Sequence, residues 1–234
     1  MKRWNYPFAC GRLLPIVSLE RITMKNSSFF RNLFFITIFA LAAFGFLHLP
    51  QLAQAEDKTV LKIDTAQSSV KWLGKKLAGQ HNGIVKLKSG AVTLSEGAII
   101  GGNFVINMQT IENEDIESPK WRKKLEDHLK SEDFFNVSKF PEGVFSISNA
   151  KKGGEHSTLI NGNLSIKGIS LPVTLTASII EDKGIYTAKG TATIDRTKWE
   201  IRYNSGKWFD PAILGDKLIY DDIEIEVNIV TLPS

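Results

Sequence analysis

The histidines are the side chains of this sequence that are best suited to acid–base chemistry or metal binding at neutral pH. Three of the four follow the hydrophobic N-terminal segment, at His81, His128 and His156. They are too scattered for a local metal-binding motif, but His81 and His128 could meet in the fold. Asp133 or Asp195 would complete such a site, which would support metal-dependent hydrolysis or isomerisation. The scatter favours the alternative of hydrogen-bonded structural histidines, so the sequence predicts no metal site, no cofactor and no catalytic residues.

Two arginines flank a tryptophan near the C-terminus, with Arg196 and Arg202 on either side of Trp199. Such a pair could bind a phosphate, or an arginine could stack on the indole ring. The favoured alternative is a structural salt bridge, for instance with Asp195 or Asp216.

Four phenylalanines occur within twelve residues, between positions 134 and 145. Phe134 and Phe135 follow an amphipathic segment, whereas Phe140 precedes Pro141, which disfavours helical geometry at Phe140. Phe145 then opens a segment with alternating apolar side chains. The pattern predicts a hydrophobic plug that runs from helix to turn to strand and packs against a sheet.

The N-terminal segment has the organisation of a secretory signal peptide. Fifteen uncharged and almost wholly apolar residues run from Leu33 to Leu47, which is short for a membrane span but suits a signal peptide. Basic residues such as Lys25 precede the run, and Ala53-Gln54-Ala55 follows it as a cleavage site. We therefore expect a signal peptide at about residues 24–55, a mature chain that starts at Glu56, and a periplasmic or secreted protein.

Removal of residues 1–55 changes the charge of the chain. Those residues carry six of the 29 Lys and Arg residues and one of the 25 Asp and Glu residues, so residues 56–234 carry 23 basic and 24 acidic side chains and a net charge of −1. Nucleic-acid binding, which needs a basic surface, is therefore not expected. The single cysteine, Cys10, is also removed, so no disulfide or thiol nucleophile is expected. Residues 56–234 are long enough for a single domain with a substantial core.

Most of residues 56–234 alternate between apolar and polar side chains, which is typical of half-buried strands. Ile223, Ile225 and Val227 alternate with Glu224 and Glu226, for example. Successive two-faced strands favour an antiparallel sheet that curls into a β-barrel of about eight or more strands. The fold is therefore predicted to be mainly β.

One amphipathic helix is predicted at about residues 119–131. Ser118 is a suitable N-cap, and Pro119 suits the first helical position. Trp121, Leu125 and Leu129 recur four residues apart and form an apolar stripe.

Two turns are predicted from glycine-containing sequences. His81-Asn82-Gly83 is expected to form a bend before the next strand. Further along the chain, Asn161-Gly162 and the segment around Gly168 are both candidates for a hairpin turn. Their spacing alone does not decide between them.

The inward positions of the predicted barrel are mostly large and apolar, with smaller residues among them at Ala177, Ala188, Gly190 and Ala192. An eight-stranded barrel is just wide enough to be filled by its own side chains or to hold one small ligand. Small inward residues leave volume unfilled, which is what an apolar ligand requires.

The chain resembles the YceI-like family over about residues 60–232. The segment Leu129-Lys130-Ser131-Glu132-Asp133-Phe134-Phe135-Asn136-Val137, followed by Phe140-Pro141, is the most specific part of the resemblance. The other residues that carry it are Trp72, His81-Asn82-Gly83, Gly102 to Ile106, Thr110-Ile111, Phe145, Gly162 to Gly168, Leu171 to Leu175, Asp195-Arg196 and the terminal alternating strand.

This resemblance implies a secreted lipocalin-like barrel that binds a polyisoprenoid chain in its interior, and it favours the turn at Gly168. We therefore expect a lipid-binding protein rather than an enzyme, with an isoprenoid or other long-chain lipid as its partner and a transient contact with membranes. The metal-dependent hydrolase or isomerase at His81 and His128 is the alternative. The predicted ligand-binding residues are Trp72, Phe104, Ile106, Phe134, Phe135, Phe145, Leu164, Val173, Leu175 and Ile179.

Overall fold

The computed structural model describes residues 57–233, so the predicted signal peptide lies outside the described residues. Within that range, no helix is long and apolar enough to cross a membrane. The strands are β1 (Lys58–Lys62), β2 (Ser69–Lys76), β3 (Gly79–Ser95), β4 (Ala98–Asn113), β5 (Glu142–Lys152), β6 (Thr158–Ile166), β7 (Ile169–Asp182), β8 (Ile185–Asp195) and β9 (Ile219–Val230). The helices are α1 (Pro119–Lys130) and the single turn α2 (Pro211–Leu214), with 3₁₀ turns at Arg196–Trp199 and Gly215–Lys217.

Eight strands close into an antiparallel barrel, which confirms the predicted fold class. The order β3-β2-β9-β8-β7-β6-β5-β4 is closed by pairing of β4 with β3. The remaining strand, β1, pairs with the second half of β3, where Lys62 lies opposite Ala91. Full closure removes the free edges that an open sheet would present.

The connections between the strands divide the barrel into two ends. The helix end carries the β2–β3 turn, α1, the β6–β7 turn and the segment 196–218 that joins β8 to β9. The opposite end carries the β3–β4, β5–β6 and β7–β8 turns. The pairing of Gly83 with Asn113 shows that the start of β3 and the end of β4 share the helix end.

The long helix α1 begins at Pro119 as predicted, with Ser118 as an N-cap in extended geometry. Leu125 and Leu129 of its apolar stripe face the barrel, whereas Trp121 is 55% exposed. The chain then folds back tightly, because the N–H of Phe135 donates to the carbonyl of Leu129 at 3.1 Å. This bond sets the two adjacent phenylalanines across the end of the barrel.

The turn between β6 and β7 is formed by Lys167 and Gly168, both with positive φ angles of 51° and 77°. The rival Asn161-Gly162 lies within β6. A Cβ atom on Gly162 would lie 2.6 Å from the ring of Phe145, so this glycine makes room for an aromatic side chain.

The bend predicted at His81-Asn82-Gly83 is wrong, because these residues lie within β3 and pair with β2. The chain turns earlier, at Leu77 and Ala78, and Gly79 follows with a φ angle of 149°. A Cβ atom on Gly83 would clash with the backbone carbonyl oxygen of Glu112 on β4 and would lie 2.7 Å from the Trp72 ring. Gly83 therefore also makes room for an aromatic ring.

Candidate functional site

The barrel encloses a cavity of about 260 Å³. A single water molecule needs about 10–15 Å³ of such space, so the cavity is far larger than a packing defect. All eight strands of the closed barrel and helix α1 contribute to its wall, which consists almost wholly of aliphatic and aromatic side chains.

Strand alternation creates this wall. On β7, Val173, Leu175 and Ala177 face the cavity, while Thr174 and Thr176 are exposed on the outer surface. The same alternation places the apolar side chains of β9 inside. Ala177, Ala188 and Ala192 line the cavity, so small side chains do occupy inward positions where larger ones would fill the volume.

Nine of the ten predicted ligand-binding residues lie on the cavity wall, although their contact with a ligand remains a prediction. They are Trp72, Phe104, Ile106, Phe134, Phe135, Phe145, Leu164, Val173 and Leu175. These residues come from β2, β4, β5, β6, β7 and the segment after α1.

The tenth residue, Ile179, does not lie on this wall. The pairing of β7 with β6 ends at Ala177, opposite Thr158, so Ile179 extends past the end of β6. It borders a second hollow of about 310 Å³ at the opposite end, together with Lys151 and Tyr186. Correct alternation therefore placed Ile179 on the inner face but did not show where the cavity ends.

The sequence analysis missed part of the wall at the helix end. Leu125 and Leu129 of α1 lie on the cavity, as do His81 of β3 and Tyr220 of β9. Lys76 also lies there, and it follows Trp72 by four residues on the same face of β2. Alternation along β2 could have identified Lys76, but the helical contacts depend on how α1 docks.

Arg196 closes the helix end of the barrel from within. It is 1% exposed. Its guanidinium donates to the carbonyl oxygens of Ile201 at 2.8 Å, Ile219 at 3.0 Å and Tyr220 at 3.2 Å. Burial lowers the pKa of Arg196, and the nearby Asp221 carboxylate, at 3.5 Å, opposes that effect.

The salt bridge expected for Arg196 therefore exists, but with Asp221 rather than the suggested Asp195 or Asp216. Asp195 accepts bonds from the N–H and hydroxyl of Thr197 at 3.0 and 2.6 Å and pairs with Lys207 at 2.7 Å. These contacts hold the chain at the point where it leaves β8.

Arg202 stacks on an indole ring, but the ring belongs to Trp208, whose centroid lies 3.7 Å from the guanidinium carbon. Trp199 is instead 2% exposed, and its indole N–H donates to the carbonyl of Leu164 at 3.2 Å. Trp199 therefore belongs to the core of the helix end.

The two histidines of the alternative hypothesis each have a separate aspartate. His81 Nδ1 lies 2.8 Å from Asp115 and His128 Nε2 lies 3.0 Å from Asp133. Burial raises the pKa of Asp115, but hydrogen bonds from Asn82, His81 and other groups outweigh it and leave the pKa below its ordinary value. Within residues 57–233, no three His, Cys, Asp or Glu side chains lie close enough together to hold a metal ion.

A closed antiparallel barrel around an apolar cavity has the calyx architecture that lipocalins also have. The chain belongs to the YceI-like family, because the model of the YceI-like domain matches residues 61–231.

Curated relatives share part of this sequence. A UPF0312 protein of Enterobacter sp. (strain 638) is 38% identical over 78 residues, and protein YceI of Salmonella arizonae is 36% identical over 78 residues. These alignments cover 33% of this chain and 36% and 37% of the relatives, respectively. The chain therefore spans little more than a third of the length of these relatives.

Solved structures share the fold. BcnA of Burkholderia cenocepacia aligns with a TM-score of 0.59 and 20% identity, over 73% of this chain and 99% of that protein. A polyisoprenoid-binding domain from Saccharophagus degradans aligns with a TM-score of 0.52 and 8% identity, over 75% of this chain and 100% of that domain. At these identities the likeness shows a common fold.

Proposed function

We propose that this protein binds a long apolar lipid of the polyisoprenoid type inside the barrel and carries it or shields it from water. The observation that carries this proposal is the cavity of about 260 Å³ with an almost wholly apolar wall. Water in such a space finds few polar partners, so an apolar ligand is the better occupant. The polyisoprenoid-binding domain of Saccharophagus degradans, which has the same fold, supports a lipid of this class.

Burial of apolar surface can supply the affinity without a strong polar anchor. It stabilises a complex by about 25 cal/mol for each Å² removed from water. A long prenyl chain offers a large apolar surface, and the rigid barrel wall limits the entropy lost on binding. Binding by this mechanism requires no catalytic group, so we propose a binding protein rather than an enzyme.

Native mass spectrometry of the purified mature protein tests this function. We expect a second species that is heavier by the mass of one lipid, and organic extraction should release a long-chain apolar compound. The extracted protein serves as the matched control and should regain the heavier species when lipid is added back.

The same mass spectra can contradict the proposed lipid-binding function. A stoichiometric metal ion, with no lipid bound before or after addition, would favour the hydrolase or isomerase based on His81 and His128. Protein that takes up neither metal nor lipid would contradict the carrier hypothesis.

We further propose that the protein is periplasmic or secreted, on the evidence of the predicted signal peptide. N-terminal sequencing of the exported protein should give Glu56 as the first residue. A membrane-bound chain that still carries the apolar run Leu33–Leu47 would contradict this prediction.

A further inference from the structure

Large apolar side chains are exposed at the helix end of the barrel, where they form what we call the aromatic rim. Its members are between 45% and 83% exposed. Within residues 57–233, every aromatic residue among the large exposed hydrophobic side chains belongs to this rim. The large exposed apolar side chains elsewhere in that range are aliphatic, at Val60, Ile100, Ile180 and Leu232. The rim consists of Leu77, Trp121, Trp208, Phe209, Ile213 and Tyr220.

Backbone hydrogen bonds hold the rim at the helix end. The N–H of Leu77 donates to the carbonyl of Leu218 at 3.0 Å, which joins the β2–β3 turn to the segment before β9. The N–H of Ile219 donates to the carbonyl of Asn204 at 3.0 Å, so both ends of segment 204–218 meet at the start of β9. Trp208, Phe209 and Ile213 lie within that short, anchored segment.

The rim is continuous with the cavity. Tyr220 belongs to both, since it is 45% exposed and also lines the cavity. Leu77 follows the cavity residue Lys76, and Trp121 lies one helical turn before the cavity residue Leu125. Tyr220 therefore connects the rim to the end of the cavity.

Cations accompany the exposed tryptophans. Arg202 lies over Trp208, and the ammonium nitrogens of Lys120 and Lys124 lie 6.0 and 5.0 Å from the centre of the Trp121 ring. Exposed indole rings beside long cationic side chains suit the boundary between lipid headgroups and acyl chains. The cations complement phosphate groups, while the aromatic rings enter the apolar layer.

Acidic side chains of the same end are partly engaged in ion pairs. Asp127 pairs with Lys123, and Asp195 pairs with Lys207. Arg202 beside Trp208 pairs with Glu200. Among the ion pairs of residues 57–233, none involves Lys120 or Lys124, so the positive charge available to a phosphate lies beside Trp121.

We propose that the aromatic rim is a docking surface for a lipid bilayer that contains anionic phospholipids. This inference rests on the proposed function, because docking would place the cavity against the membrane from which an apolar lipid is collected or to which it is delivered. A few partly inserted side chains give reversible attachment, which suits a protein that exchanges its ligand.

Vesicle flotation with an equal mixture of phosphatidylglycerol and phosphatidylethanolamine tests the proposal. The triple variant Trp208→Ser/Phe209→Ser/Ile213→Ser should partition at least about tenfold less than the wild type, since each substitution removes a large apolar group from the contact. The matched control Val60→Ser/Ile180→Ser/Leu232→Ser removes exposed aliphatic groups outside the rim and should partition like the wild type. The double variant Phe209→Ser/Ile213→Ser keeps the Arg202–Trp208 stack and should also partition less.

Circular dichroism establishes that each variant is folded before partition is compared. Lipid binding in solution, measured by native mass spectrometry, should be the same for the rim variants and the wild type. A rim variant that loses vesicle partition but still binds a lipid ligand in its cavity would therefore support the docking surface. If the wild type binds no lipid ligand in its cavity, that result would count against the proposed function alone.

Four results would overturn the docking proposal. The wild type could fail to bind the vesicles, the rim variants could bind as tightly as the wild type, or the control variant could lose as much partition as the rim variants. A dimer that forms through the rim and excludes vesicles would also overturn it, because the surface would then be an interface between two copies.

Discussion

Replacement of Arg196 by methionine should lower the free energy of unfolding by about 3–5 kcal/mol. The guanidinium is 1% exposed and donates to three backbone carbonyl groups, those of Ile201, Ile219 and Tyr220. Methionine fills part of the volume but donates no hydrogen bond. The three carbonyls would each lose a donor, and Asp221, which is 17% exposed, would keep only Lys207 at 3.5 Å as a cationic partner. Unsatisfied polar groups are costly where they are shielded from water.

Urea denaturation of the lipid-free protein measures this effect. The matched control is Arg202→Met, which makes the same chemical change at a side chain that is 42% exposed, and we expect it to cost less than about 1 kcal/mol. Arg196→Lys keeps the charge, but its single ammonium group cannot reproduce the planar guanidinium, so an intermediate loss is expected. A loss below about 1 kcal/mol for Arg196→Met would show that these hydrogen bonds do not stabilise the barrel.

The strands were predictable from the sequence because alternation reports directly on which side chains face the interior. On β9, the alternation of isoleucine and valine with Glu224 and Glu226 is reproduced as alternation of burial. Helix α1 was predictable because Ser118 and Pro119 mark its start. Alternation along a strand and the start of a helix are local properties, and local sequence is enough to specify them.

Two glycines were misleading or ambiguous for a single reason. Gly83 and Gly162 follow asparagine, a composition typical of turns, but both lie within strands. Each leaves space for an aromatic ring, the indole of Trp72 and the phenyl ring of Phe145, respectively. Close approach between strands depends on their register, which a single sequence does not specify.

The candidate site was only partly predictable because its boundaries depend on docking between distant elements. Ile179 is on the expected face of β7, but it lies beyond Thr158, the first residue of β6, and outside the cavity. Leu125 joins the wall because α1 packs across the helix end. Arg196 directly follows β8, and its partner Asp221 lies on β9. This ion pair depends on the pairing of β8 with β9, which a single sequence does not specify.

Replacement of Leu175 by tryptophan should weaken lipid binding strongly while leaving the lipid-free barrel nearly as stable as before. Leu175 is 9% exposed, lies on the cavity wall and also packs against Ile160 and Ala177. The larger indole ring can extend into the cavity, where it would occupy the volume that we assign to the ligand. In a filled core, by contrast, the same enlargement would cost about 1–3 kcal/mol through steric strain.

Two measurements on the same variant separate these possibilities. Titration with a fluorescent prenyl lipid should show at least about tenfold weaker binding, and the melting temperature of the lipid-free protein should fall by less than about 4 °C. Thr176→Trp is the matched control, because Thr176 is the next residue on β7 and is exposed on the outer surface. It should leave lipid binding unchanged.

Two results for Leu175→Trp would contradict the prediction. If the variant unfolds, Leu175 belongs to a filled core. If the variant binds lipid as tightly as the wild type, the ligand does not occupy this part of the barrel. Either result would remove the main physical support for a lipid carrier, because the inference depends on open apolar volume beside Leu175.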